Sequence, residues 1–293
     1  MLIVIVGPTG SGKTAIALSL AQKYNAPIIN GDAFQIYQDM NIGTAKVNKD
    51  SEDYKRHYLL DIVKPNQTYS VKEYQEDFRR TYLELKKKCQ TIIVCGGTGL
   101  YIRAALYDYV FEDEENADTS DLDNLSNEEL FDLLKTVDSK AAENIHMNNR
   151  KRVIRALQIA RTHSLNKSES IDKQEHDLFF KDEDVKFLFI NPKRDELYAN
   201  INARVDRMFE NGLLNEVKEL LKKYDLSLTA KAAIGYKEVI EYLNGKYSLE
   251  ECKELIKKRT RNYAKRQVTF FKHQLPCKEY SSKEELLNEV TNG

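Results

Sequence analysis

The stretch Gly7-Pro8-Thr9-Gly10-Ser11-Gly12-Lys13-Thr14 decides the fold. It fits Gly-x-x-x-x-Gly-Lys-Ser/Thr at every fixed position, the phosphate-cradling loop that joins a strand to a helix. The flanks agree with that reading. Leu2–Val6 is a short, continuous apolar run suited to a buried parallel strand. After the loop, Ile16 and Leu20, with Ala17 and Ala21, recur at helical spacing as far as residue 24. Glycines let successive backbone N–H groups turn toward phosphate oxygens, and the helix N-terminus adds partial positive charge. In that geometry Lys13 neutralises the outer phosphate and Thr14 holds Mg2+. A glycine-rich turn without a ligand is the alternative, and the strand and helix on either side weigh against it.

Working outward, Pro27-Ile28-Ile29-Asn30 reads as a second strand, and residues 91–95 as a third that runs into Gly96-Gly97-Thr98-Gly99. Between them, residues 71–88 carry Tyr74, Phe78, Tyr82 and Leu85 on one helical stripe. Strands alternating with helices predict an α/β fold, a P-loop NTPase-like parallel sheet with helices on both faces. The third strand lacks the terminal carboxylate that motor ATPases and GTPases use to hold their metal's water shell. The carboxylate follows the second strand instead, at Asp32. That placement hints at a diphosphate handled in chemistry other than nucleotide hydrolysis.

Near residue 108 the pattern changes. Acidic residues dominate to Glu143, glycine and proline are absent, and Leu130, Leu133, Leu134 and Val137 recur at helical spacing. This predicts a helical insertion domain over residues 108–182, with residues 163–175 as a polar link. Val185–Ile190 returns to strand character, so the core comprises residues 1–107 and 183–293. Beyond Leu197 the pattern is helical, with turn signals at Asn211-Gly212 and Asn244-Gly245. The 293 residues are 41% hydrophobic and 31% charged, the balance of a globular chain. Cys89, Cys95, Cys252 and Cys277 form no Cys-x-x-Cys pair, which argues against a zinc site or a disulfide framework. No signal-peptide pattern or membrane-length apolar run is present, so a cytoplasmic protein is expected.

Asp32 lies where parallel sheets bind ligands, outside the carboxyl ends of the strands. From its position alone it could serve as a general base, a metal ligand or a turn cap. Several further motifs follow one another in order. They are Asp32-Ala33-Phe34-Gln35-Ile36-Tyr37, Asn41-Ile42-Gly43-Thr44-Ala45-Lys46, Gly96-Gly97-Thr98-Gly99-Leu100-Tyr101, Arg152-Val153-Ile154-Arg155-Ala156-Leu157 and Ala233-Ile234-Gly235-Tyr236-Lys237-Glu238. With the phosphate loop, this succession resembles the bacterial tRNA dimethylallyltransferases, over nearly the whole chain.

The resemblance implies transfer of a dimethylallyl group from its diphosphate to N6 of adenosine 37, in tRNAs that read codons starting with U. It makes Asp32 the general base, and Asp32, Ala33, Phe34 and Gln35 contacts to the target adenosine. Thr98 lines the reaction channel, and Arg204 binds diphosphate beside Gly7, Pro8, Thr9, Gly10, Ser11, Gly12, Lys13 and Thr14. It also implies that Lys151, Arg152 and Arg155, Ala232, Gly235 and Lys237, and Lys265 and Arg266 touch the tRNA. The insertion would then lie over the anticodon stem, in a monomeric enzyme. The chain departs from the family pattern at Ala33 and Phe34, at Val47, at His57-Tyr58 and at Ala232.

Net charge is only −1, yet two local runs are basic. One opens a helix at Arg150-Lys151-Arg152; the other spans residues 257–272 without an acidic residue, with Tyr263, Phe270 and Phe271 interleaved. Solvated helix faces explain such runs ordinarily; beside a phosphate loop they also suit an RNA backbone. Three other readings use the same loop: a small-molecule kinase, a prenyltransferase of free adenine nucleotides, and a non-catalytic RNA-binding module.

Overall fold

The computed structural model describes residues 1–109, 111, 119–162 and 177–292. The polar link expected at 163–175 therefore lies outside the described residues, as does most of the acidic run at 112–118.

Six strands form one sheet: β1 (Leu2–Val6), β2 (Ile28–Asn30), β3 (His57–Tyr58), β4 (Ile92–Gly96), β5 (Val185–Ile190) and β6 (Lys278–Tyr280). Their spatial order is β3-β2-β4-β1-β5-β6, and every pairing is parallel. Parallel strands end on the same edge of a sheet, so the loops after β1, β2 and β4 emerge side by side. β1 is fully buried because helices cover both faces. On one face Ile3 and Ile5 pack with Ile16, Leu20 and Ala21 of α1 (Lys13–Tyr24), and with Leu286 and Val290 of the last helix. The opposite face is aromatic. Tyr74 of α2 (Val71–Lys86) stacks on Tyr101 of α3 (Gly99–Leu106) at 4.3 Å, and Phe189 meets Phe271 at 5.7 Å.

Two strands escape the sequence pattern. β3 has two residues and β6 is Lys278-Glu279-Tyr280, too short and too polar to show a period, so β6 interrupts a region read as wholly helical. Both are the edges of the sheet.

The chain divides into two compact units, one of residues Met1–Leu106 with Phe180–Gly293, the other of Tyr107–Phe179. Within the second, α4 (Asn127–Val137), α5 (Ser139–Asn144) and α6 (Arg150–Thr162) bury Leu122, Leu130, Leu134, Ile145, Val153, Ala156 and Leu157. A reciprocal Ser126–Glu129 capping box starts α4. The stripe read there is narrower than its spacing implies. Leu133 and Val137 are 41% and 42% exposed, because a three-helix cluster this small covers only the Leu130–Leu134 side. Arg150 folds inward and donates to the carbonyls of Leu122, Asp123 and Leu125, so it is a brace and not part of an outward basic face. Lys151 and Arg152 are exposed, and Arg155 is half-buried.

In the first unit, α7 (Arg194–Glu210), α8 (Leu213–Lys223), α9 (Leu228–Lys231), α10 (Tyr236–Leu243) and α11 (Leu249–Gln274) complete the core. Their shared cluster includes Val205, Met208, Val217, Tyr236, Val239 and Ile256, together with Ile36, Tyr37 and Met40 from the segment after β2. No helix among the described residues is long and apolar enough to cross a membrane.

Candidate active site

The loop after β1 turns into α1 through Gly10 and Gly12, both at φ +83°, a conformation that side chains disfavour. Ser11 is buried, and Gly7 packs against the Ile190 carbonyl at the end of β5. The Ser11 hydroxyl has no hydrogen-bond partner among the described residues.

The loop after β2 carries Asp32, held on several sides. Its N–H donates to Asn30 Oδ1 at 3.0 Å, while Asn30 Nδ2 donates to the carbonyls of Asp32 and Leu59. Asp32 Oδ1 accepts the Phe34 N–H at 3.0 Å, a local turn that fixes the carboxylate and leaves Oδ2 without a hydrogen bond among the described residues. The Ala33 N–H donates to Thr98 Oγ1 at 3.0 Å, and the Thr98 N–H to the Gly31 carbonyl at 3.1 Å. This works only because two glycines meet: a Cβ on Gly96 would lie 2.1 Å from the Gly31 oxygen. The loops after β2 and β4 thus become one strap.

Asp32, Lys13, Thr14 and Arg204 line a single narrow pocket, with Thr9, Asn30, Gln35, Val47, His57 and Cys95. The Gln35 amide and the Arg204 guanidinium both donate to the Thr44 carbonyl, at 3.1 and 3.3 Å, which closes one wall. Burial, reinforced by Arg204, pulls the Lys13 ammonium below its ordinary value, against the Asp32 charge. Burial likewise lowers Arg204 against the Asp32 charge, but a guanidinium stays cationic throughout. Two half-buried cations that face one pocket beside a phosphate loop make an anion seat. Burial pushes the Cys95 thiol up to about 11, so it is a packed thiol and not a nucleophile. Burial also lowers His57, whose Nδ1 lies 2.8 Å from the Asp53 carbonyl.

A second, more apolar pocket opens from the same two residues, Asp32 and Arg204. Phe34, Val205, Met208, Ala233, Ile234, Ile256, Tyr263 and Gln267 line it. Burial, with the Asp32 charge beside it, pushes the Tyr263 hydroxyl up to about 12. A third pocket runs outside the phosphate loop along Gly10, Ser11, Gly12, Lys13 and Thr14 to Arg204 and Arg207. Arg204 lines all three. No group of three or more His, Cys, Asp or Glu side chains that could hold a metal occurs among the described residues.

Polar groups of the segments 41–46 and 233–238 are engaged within the fold. Glu216 accepts the N–H groups of Asn41, Ile42 and Gly43 and the Tyr236 hydroxyl. Lys46, with a fully buried side chain, donates to the Tyr37 carbonyl and Asp61, and Tyr54 donates to the other oxygen of Asp61. Glu238 is buried, capping the Gly235 N–H and pairing with Arg259. Of the expected RNA contacts here, Ala232 and Lys237 are exposed and Gly235 is buried.

The basic run of α11 also divides. Lys257 pairs with Asp206 and Glu254, Arg261 bonds Asn202 and Lys272 pairs with Glu279, so these cations serve the fold. Lys258, Lys265 and Arg266 lie toward solvent. The aromatics do not interleave on that face: Phe271 is core, Phe270 covers Gly99 and Tyr263 lines the pocket.

Sequence reading passed over Gln267. It is buried on the apolar stripe of Ile256, Ala264 and Phe271, and a lone amide at such a position signals a paired polar group.

Residues 35–274 match the IPP transferase family model. The chain is 42% identical over 284 residues to a tRNA dimethylallyltransferase of Staphylococcus saprophyticus, covering 94% of this chain and 89% of that one. Its structure resembles the tRNA delta(2)-isopentenylpyrophosphate transferase of Staphylococcus epidermidis, with a TM-score of 0.71 and 37% identity over 99% and 97% of the two chains. It also resembles a eukaryotic dimethylallyltransferase acting on tRNA, with a TM-score of 0.79 and 30% identity over 92% of this chain and 69% of that one.

Proposed function

The chain belongs to the IPP transferase family and is a prenyltransferase of tRNA, and from that premise we propose the finer reading. It transfers the dimethylallyl group of dimethylallyl diphosphate to N6 of adenosine 37, in the anticodon stem-loop of tRNAs reading codons that start with U. The products are N6-isopentenyladenosine and diphosphate. The observation that carries this reading is the single pocket shared by Asp32, Lys13, Thr14 and Arg204.

The adenine amino group is a poor nucleophile because its lone pair is delocalised into the ring. As N6 bonds to the allylic carbon, the carbon–oxygen bond to diphosphate breaks and N6 sheds a proton. Asp32, with Oδ2 open, accepts that proton; a positioned base of this kind contributes about 10²–10⁴-fold. Charge grows on the leaving diphosphate, and Lys13, Arg204 and the phosphate-loop N–H groups stabilise it where it forms. The apolar pocket of Phe34, Met208, Ile234, Ile256 and Tyr263 suits a base extruded from its stack and keeps water from an allylic carbon with cation character.

The Thr14 hydroxyl suits Mg2+, which needs few protein ligands when diphosphate and water supply the rest. Bound there, the ion would add charge neutralisation at the leaving group. Lys258, Lys265 and Arg266 on α11, and exposed Lys151 and Arg152 on α6, supply cations for RNA phosphates.

Incubation with tRNA, Mg2+ and dimethylallyl diphosphate, followed by nucleoside mass analysis, tests the reading. A prenylated adenosine next to the anticodon is expected. Phosphate transfer from labelled ATP without prenylation would replace the reading with a kinase.

A further inference from the structure

We propose that Gln267 is a positioning residue that sets the phosphate loop in register with the Asp32 turn. The inference rests on the reading of the site as a transferase centre.

β1 and β2 are not neighbours; β4 lies between them. Among the described residues no backbone hydrogen bond joins residues 7–14 to residues 31–35. The diphosphate seat and the proton acceptor therefore stand on separate loops, and something must fix their spacing.

Gln267 does this from α11. Its Oε1 accepts the Thr9 N–H at 2.9 Å, and its Nε2 donates to the Gly97 carbonyl at 2.8 Å. Thr9 belongs to the phosphate loop. Gly97 precedes Thr98, whose hydroxyl accepts the Ala33 N–H and whose own N–H donates to the Gly31 carbonyl. A continuous path thus runs from Thr9 through the Gln267 amide, Gly97 and Thr98 to the two residues flanking Asp32. Gln267 is 5% exposed and lines the pocket beside Asp32 and Arg204. Its fit is close, since a Cβ on Gly97 would lie 2.4 Å from Nε2. Each loop keeps its own internal bonds without Gln267, so its loss should alter their relative placement more than either loop's ligand binding.

Two variants test this, Gln267→Met and Gln267→Glu. Single-turnover transfer is measured with dimethylallyl diphosphate and an anticodon stem-loop, per folded protein. Affinities for inorganic diphosphate with Mg2+ and for the stem-loop are measured separately. Gln267→Met should lose about 30-fold or more in rate while each affinity stays within about threefold, since small misplacements of reacting groups are costly. Gln267→Glu should recover as pH falls, because the protonated carboxyl restores one acceptor and one donor. Its rate relative to the wild type should rise by up to roughly tenfold per pH unit, while the Gln267→Met ratio stays flat. Should Gln267→Met not fold, the Gln267→Glu profile decides alone. A wild-type rate in Gln267→Met, a loss confined to diphosphate affinity, or a pH-independent Gln267→Glu ratio would overturn the proposal. A wild-type protein that prenylates no RNA would instead overturn the transferase reading.

Discussion

Two regions of the core spell equally distinctive motifs and differ in how their polar groups are satisfied. At the rim of β1 and β2, half-buried Lys13 has no salt bridge among the described residues, the Ser11 hydroxyl has no partner there and Asp32 Oδ2 accepts no hydrogen bond among them. In the segment of residues 41–46 most polar groups are answered within the protein, Asn41 Oδ1 being the exception among the described residues. Glu216 takes three N–H groups and a tyrosine hydroxyl, and Lys46 is locked to Asp61. Unpaired buried polar groups cost stability, so they persist where a ligand completes them; fully paired ones specify shape. The rim acts on substrate, and the segment holds the rim in place through the Thr44 carbonyl, which Gln35 and Arg204 both bond.

Substitutions should split along the same line. Lys13→Met should weaken diphosphate binding by about 10²–10³-fold, the cost of leaving a buried anion without its cation. The same change should raise the melting temperature of the ligand-free protein by roughly 2 °C or more. Calorimetry with diphosphate and a thermal melt check both halves. Glu216→Ala should do the reverse, lowering stability by about 3 kcal/mol through the orphaned N–H groups and hydroxyl. Transfer per folded molecule should fall far less than with Asp32→Asn, since the segment reaches the rim only through the Thr44 carbonyl, as denaturant unfolding beside a single-turnover assay would record.

A pH signature follows from Lys13. Its folded-state value lies below the ordinary lysine value, so between the two the unfolded chain binds more protons. The Lys13 contribution to the stability of the ligand-free protein should therefore rise with pH across that window, read as the difference between wild type and Lys13→Met. Saturating diphosphate and Lys13→Met should each reduce the rise, leaving the part that buried Lys46 contributes in the same direction. The smallest effect is expected at the surface. Lys265→Ser with Arg266→Ser should weaken RNA binding severalfold and reduce the salt slope by about one for each phosphate no longer neutralised. Equal salt slopes in mutant and wild type would remove these side chains from the RNA interface.

The phosphate loop and its strand were legible because their spacing is local and each glycine has a backbone reason. Asp32 was legible as a strand-end carboxylate beside Lys13 and Thr14, and Arg204 came in only through the family resemblance; Gln267 was not legible. Arg204 stands 172 positions from Asp32 in the chain, and Gln267 meets Thr9 across a separation of 258. No periodicity encodes such partners. For the same reason Arg150, Lys257, Arg259 and Arg261 read as parts of basic faces, although carbonyls, carboxylates and an amide elsewhere in the chain engage them.

The claim on which the rest stands is that one carboxylate removes the proton while a neighbouring cradle holds the diphosphate. Asp32→Asn keeps the side-chain shape and an oxygen for the Phe34 N–H but removes the base. Its single-turnover transfer to an anticodon stem-loop, at saturating donor and RNA, should fall by about 10²–10⁴-fold with both affinities and the melting temperature preserved. A rate equal to the wild type would contradict the account.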